Sequence, residues 1–80
     1  MKSTDVLDAY LWDLRAQAES KLRCLTKVQQ LVQEYARSKD ASARAKLQTQ
    51  ILADLTDVVT ITESMKSVSR QAFDAASTLT

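Results

Sequence analysis

The 80-residue chain contains no glycine, no proline and no histidine. Without glycine, the backbone lacks the residue that favours positive φ, so the phosphate-cradling loops of Rossmann and P-loop sites are excluded. The lack of histidine, together with a single cysteine, Cys24, excludes zinc clusters, disulfide frameworks and histidine-activated nucleophiles. We therefore expect no catalytic residue, no metal site and no cofactor. A lone thiol is typical of a protein in a reducing compartment.

The charges nearly cancel, since 11 Lys and Arg residues face 10 Asp and Glu residues. They are unevenly placed: residues 1–14 carry one cation against three anions, residues 15–46 eight against three, and residues 47–80 two against four. A chain that folds back near its middle would therefore have a basic tip. The tip cations are Arg37, Lys39, Arg44 and Lys46. Tyr35 is the one aromatic residue near them, so we interpret the tip as a solvated loop and predict no nucleic-acid partner.

No segment of the sequence has the pattern of a targeting signal or a membrane span. The first turn is acidic, whereas a secretory signal begins with basic residues and continues into about 7–15 apolar ones. The strongly apolar stretches around 51–53 and 58–59 are far shorter than the ~20 residues that cross a bilayer. We expect a cytoplasmic protein without membrane insertion.

Apolar residues in the first half recur at alternating spacings of four and three, which predicts a helix over about residues 4–37. The predicted stripe is Leu7, Leu11, Leu14, Ala18, Lys21, Leu25, Val28, Val32 and Tyr35. Lys21 is its polar member. Four further residues flank it: Tyr10, Leu22, Cys24 and Leu31. We interpret Cys24 as a small, inert packing residue.

A polar cluster predicts a turn over about residues 38–42, followed by a second helix over about 43–76, with Asp40 or Ser42 as its cap. The second stripe is Leu47, Ile51, Asp54, Val58, Ile61, Met65, Val68, Ala72, Ala75 and Leu79. Another apolar set lies off that face: Leu52, Leu55, Val59 and Phe73. The sequence therefore predicts a single all-α domain over residues 1–80, an antiparallel two-helix hairpin resembling a coiled coil.

One interhelical seam buries little apolar surface for a chain of this size, so we expect the hairpin to associate with further helices. Lys21 and Asp54, the polar members of the two stripes, either pair across the seam and fix its register or extend separately to solvent. Trp12 lies off the first stripe, where it is either an interface hot spot or packs over the open end of the hairpin. Phe73 has the same two interpretations.

The chain resembles the small co-chaperones of needle proteins in bacterial type III secretion systems. Residues 7–18, LDAYLWDLRAQA, are similar to a stretch of the first helix in that family, and residues 46–52, KLQTQIL, are similar to its Gln-rich second-helix start. The resemblance is one of pattern and length over about residues 5–70. It implies a cytoplasmic protein without catalytic activity that joins a tetratricopeptide-type chaperone and keeps the needle subunit soluble before export.

The resemblance also implies that the hairpin docks through an apolar helix face. The positions that match, together with the aromatic Phe73, form the predicted partner-binding set: Leu7, Leu11, Trp12, Leu14, Leu52, Leu55, Val59 and Phe73.

Two other interpretations stay open. Needle subunits are hairpins of similar length, and residues 48–66 have a similar rhythm of Gln and apolar residues ending in Ser-Met-Lys. Those proteins turn at an Asn-Pro or Asp-Pro pair, whereas this chain has Lys39-Asp40-Ala41. A self-associating coiled-coil scaffold, unrelated to secretion, would use the same heptads.

Overall fold

The computed structural model describes residues 3–79 and consists of two long helices, α1 (Ser3–Arg37) and α2 (Ala41–Ser77). They lie antiparallel and form a rod of 61 × 15 × 14 Å, with no strand in the described residues. The predicted all-α hairpin is thereby confirmed. The β-branched run at residues 58–62 is helical as well, and the hydroxyl of Thr62 donates to the Val58 carbonyl at 2.7 Å. Residues 1–2 and 80 of the predicted domain lie outside the described residues.

The reversal occupies residues 38–40, two fewer than the predicted turn of 38–42. The Ser38 amide still donates to the Glu34 carbonyl at 2.9 Å, which completes the last turn of α1. Asp40 has extended backbone angles (φ −86°, ψ 122°), and its side chain accepts a hydrogen bond from the Ser42 amide at 3.3 Å. Of the two predicted caps, Asp40 is therefore the one used. No described residue has positive φ, so the turn needs no glycine.

We expect the Asp40→Ala variant to lose about 0.5–2 kcal/mol of unfolding free energy, because a first-turn amide of α2 then loses its side-chain acceptor. Thermal unfolding followed by circular dichroism measures the change. Lys39→Ala is the matched control in the same turn, and it should have an effect below about 0.5 kcal/mol. Equal effects of both substitutions would contradict capping by Asp40.

The interhelical seam on α2 runs through the predicted stripe. Its residues from Leu47 to Ala75 are all half-buried or buried, and Ala72 is the most enclosed of them. Leu79, the last predicted member, lies beyond the end of α2 and is exposed. The spacing of four and three therefore identified the packed face of α2 over its whole helical length.

On α1 the prediction was half wrong. The column Leu7, Leu14, Lys21, Val28 and Tyr35 lies in the seam as predicted. Its companion column is Tyr10, Gln17, Cys24 and Leu31, not the predicted one. The residues predicted there are all exposed: Leu11, Ala18, Leu25 and Val32. The observed and the predicted companion columns lie on either side of the Leu7 column on the helix surface. A rotation of α1 by roughly 50° about its axis would therefore bring the predicted column into the seam in place of the observed one.

An ion pair between the helices accompanies the observed rotation of α1. Lys27 Nζ lies 3.7 Å from Oδ2 of Asp54, and the two side chains are 55% and 13% exposed respectively. Lys27 precedes the seam residue Val28, so the alternative rotation would carry its ammonium group away from α2. Of the two interpretations of Lys21 and Asp54, pairing with each other is not observed, because Lys27 is the cation beside Asp54. Lys21 is half-buried in the seam, one to two turns further from the reversal than Asp54.

Candidate interaction surface

The hairpin has two long sides that differ in polarity. Lys27 and Asp54 mark one of them, and Val6, Tyr10, Gln71 and Asp74 line an open groove of about 400 Å³ near the open end of the same side. On both helices this side carries the residues that come just before seam positions. Many of its other members are polar, among them Asp13, Ser20 and Glu34 on α1, and Gln50, Asp57 and Ser64 on α2. We call it the polar side.

The opposite side gathers large apolar residues from both helices, and we call it the apolar side. Eight such residues are exposed there: Leu11, Leu22, Leu25, Val32, Leu52, Leu55, Val59 and Phe73. The exposure is large, reaching 64% for Leu22 and 57% for Leu52. By contrast, three of the described residues are buried: Val28, Leu31 and Ala72. Clusters of exposed apolar side chains are typical of surfaces that another molecule covers.

One stretch of the apolar side, in the half of the rod near the turn, carries no charge. Between residues 22 and 33, α1 places on or at the edge of this side Leu22, Leu25, Thr26, Gln29, Val32 and Gln33. Between residues 48 and 59, α2 contributes Gln48, Thr49, Leu52, Leu55, Thr56 and Val59. We call these twelve residues the apolar patch. Depletion of charge is a compositional mark of interface centres.

The threonines of the apolar patch have their hydroxyls satisfied within their own helices. Thr26 donates to the Leu22 carbonyl at 3.0 Å, Thr56 to the Leu52 carbonyl at 2.9 Å, and Thr49 to the Ala45 carbonyl at 3.1 Å. Each hydroxyl is thus occupied, and the γ-methyl group remains to face a partner. Because no new acceptor is needed when water is removed, covering these residues has a low desolvation cost.

The eight predicted partner-binding residues fall into three groups. Leu11, Leu52, Leu55, Val59 and Phe73 lie exposed on the apolar side. Leu7 and Leu14 lie in the seam, where α2 half-buries them, so the surface available to a partner does not centre on them.

Trp12 stands on the outer surface of α1, 62% exposed. The Arg15 guanidinium lies 5.0 Å from its ring centroid, and Asp8, Leu11 and Arg15 line the small hollow beside it. The indole therefore does not pack over the open end of the hairpin, and the hot-spot interpretation stays a prediction. Phe73 is likewise 64% exposed rather than packed against α1.

Of the six leucine and valine residues in the apolar patch, three were missing from the predicted binding set: Leu22, Leu25 and Val32. Leu25 and Val32 had been assigned to the seam, and Leu22 to its flank. The signal that could have found them is the second apolar column on α1, because two adjacent columns exceed what one partner helix can cover.

Other kinds of site find little support in the described part of the chain. Within residues 3–79 there is no group of three or more Cys, Asp or Glu residues that could hold a metal ion. Neither α1 nor α2 contains an apolar stretch long enough to cross a membrane. The Cys24 thiol is free and half-buried in the seam.

Comparison of the chain with protein-family models, with curated proteins and with solved structures gives no match. The hairpin and its apolar side are therefore the features from which a function can be inferred.

Proposed function

We propose that this protein is a non-catalytic interaction module that binds a helical protein through its apolar side. The observation that carries the proposal is the contrast in burial: among the residues that the structure describes, eight large apolar side chains are exposed on one side and three residues are buried. A hairpin that uses so little of its apolar surface internally gains stability when a partner covers the rest.

The partners we propose are those that the sequence resemblance implies, a tetratricopeptide-type chaperone and a needle subunit of type III secretion, in the bacterial cytoplasm. The α-helical hairpin architecture is compatible with this role. So is the location of Leu11, Leu52, Leu55 and Val59, four of the positions matched to that family, on the exposed side. Leu7 and Leu14 then act indirectly, by packing α1 against α2.

Co-expression with the tetratricopeptide-type chaperone and needle subunit of the source organism tests the proposal. We expect a 1:1:1 complex in size-exclusion chromatography with light scattering. The double variant Leu52→Ala, Val59→Ala should bind at least about 30-fold more weakly, because two exposed anchors are truncated while alanine preserves the helix.

The matched control is Gln50→Ala with Ser64→Ala, which makes two equivalent truncations on the polar side of α2. This control should bind within about twofold of the unchanged protein. Absence of any complex would refute the co-chaperone role. Concentration-dependent filaments of the purified chain alone would instead favour the needle-subunit alternative, and equal losses in both double variants would reject the apolar side as the docking surface.

A further inference from the structure

The exposed apolar residues of α1 and α2 lie at matching heights along the rod. Lys27 lies beside Asp54, and Tyr35 lies beside Arg44. Residues of α1 and α2 whose numbers add up to about 80 are therefore at the same height, which here means the same position along the long axis of the rod. Leu22 is then level with Val59, and Leu25 is level with Leu55. Leu22 and Leu25 therefore have an apolar counterpart on α2 at the same level, whereas the counterparts of Leu11 and Val32, which are Phe73 and Leu52, lie about one helical turn away.

We propose that the apolar side binds a second copy of this chain, with a two-fold axis parallel to the rod and both turns at the same end. In this arrangement α1 of one copy lies antiparallel to α2 of the other, and residues at the same height meet across the interface. Leu25 then packs on Leu55 of the second copy and Leu11 on its Phe73. The product is a four-helix bundle with the apolar patches of both copies at its centre.

The size of the surface suits a dimer. A face of 61 by 15 Å offers about 900 Å² per copy, comparable with the ~800 Å² per partner of a standard specific interface. Within this area the charge-free apolar patch would cover the half of the rod near the turn. We expect reversible dimerisation with a Kd of about 1–100 µM, which leaves the surface accessible to another protein.

The opposite orientation, with the turns at opposite ends, matches these surfaces poorly. Full overlap in that orientation would press the apolar patch of each copy against the stretch that carries Arg15 and Lys66 on the same side. Covering these charges with leucine side chains is unfavourable. In the parallel orientation Arg15 and Lys66 meet at one height, and their long side chains reach solvent at the edge, where Glu19 and Glu63 stand one turn away.

Charge along the rod gives the parallel dimer a distinctive salt response. Residues 21–60, the half with the turn, carry seven cations against four anions, a net charge of +3. A parallel dimer brings two such halves together, so screening by salt strengthens it. In a dimer with the turns at opposite ends, this half would face the other half of the second copy, residues 1–20 and 61–80, whose net charge is −2. Screening by salt would weaken that dimer.

The test uses the purified chain alone. Sedimentation equilibrium at 50 mM and 500 mM salt should show a monomer–dimer equilibrium whose Kd falls at least about twofold at the higher salt. In the double variant Cys24→Ala, Lys39→Cys, a spin label is attached to the one cysteine, which lies at the turn. The labels of the two copies should lie within about 30 Å of each other in the dimer, because neighbouring helix axes are 8–10 Å apart. A monomer at all concentrations, a higher polymer, or a label separation near the rod length of 61 Å would each overturn the proposal.

Substitutions locate the interface independently of the labels. Leu22→Ala with Val59→Ala truncates two highly exposed residues at one height, and the Kd should rise at least about 30-fold. Gln50→Ala with Ser64→Ala should leave it within about twofold, and far-UV circular dichroism confirms that both variants stay helical. Equal Kd values would overturn the proposal. The dimer and the proposed chaperone complex use the same surface but different partners. Loss of dimerisation with intact chaperone binding would overturn the dimer alone, and loss of chaperone binding with intact dimerisation would overturn the proposed function alone.

Discussion

Replacing Leu31 by alanine is expected to lower the free energy of unfolding by about 2 kcal/mol or more, whereas Leu25→Ala should cost less than about 1 kcal/mol. Both residues are leucines on α1 within two turns of each other. Leu31 is 8% exposed in the seam, and its truncation leaves a cavity between the helices. Leu25 is 37% exposed beside the seam, so much of its side chain is already in water.

Thermal and urea unfolding measure the change in unfolding free energy that each of the two substitutions causes, at concentrations low enough for the chain to be monomeric. A loss of 2 kcal/mol corresponds to a Tm lower by roughly 8–16 °C for a domain of this size. The comparison decides between the two possible rotations of α1, because the alternative rotation would bury Leu25 and expose Leu31. A larger loss for Leu25→Ala than for Leu31→Ala would contradict the observed seam.

The Asp54→Leu variant is expected to be more stable than the unchanged chain by about 1–2 kcal/mol. The Oδ2 atom of Asp54 is buried and accepts no hydrogen bond, and its cation partner is 3.7 Å away. Leucine replaces this poorly satisfied carboxylate with apolar surface in the seam next to Val28. Lys27 leaves no buried charge behind, because its side chain is already 55% exposed.

Asp57→Leu is the matched control, one turn further along α2 on the polar side and exposed. It should change the stability by less than about 0.5 kcal/mol. A Tm rise of about 4 °C or more for Asp54→Leu alone would support this explanation. Destabilisation by Asp54→Leu would show that the ion pair contributes more than the buried carboxylate costs. We expect the stabilised variant to lose register specificity, since a polar residue in an apolar seam penalises shifted pairings.

The sequence predicted α2 better than α1 for a definable reason. On α2 the packed face is a continuous apolar column from Leu47 to Ala75, interrupted by Asp54 alone, and it has no rival of similar regularity. On α1 two columns compete. The exposed one, which includes Leu11, Leu25 and Val32, is more apolar than the packed one, which includes Gln17 and Cys24.

Heptad spacing could not show which of the two columns of α1 is packed, because the packed column is decided by how α2 docks against α1. The ion pair of Lys27 with Asp54 is visible only when both helices are in place. The exposed apolar side was predictable in part for the same reason. Leu52, Val59 and Phe73 were identified because they lie off a clear seam, whereas Leu25 and Val32 were hidden within an incorrect one.

The three-residue reversal at residues 38–40 also sets the order in which the helices come together. The contact of Tyr35 with Arg44 beside it closes a short loop, whereas bringing Tyr10 and Gln71 to the same groove closes one of about sixty residues. The entropy lost on closure grows with loop length. The hairpin is therefore expected to form first beside the reversal and to open first at the far ends of α1 and α2. The apolar patch lies in the half that forms first and opens last, so it persists while those helix ends separate.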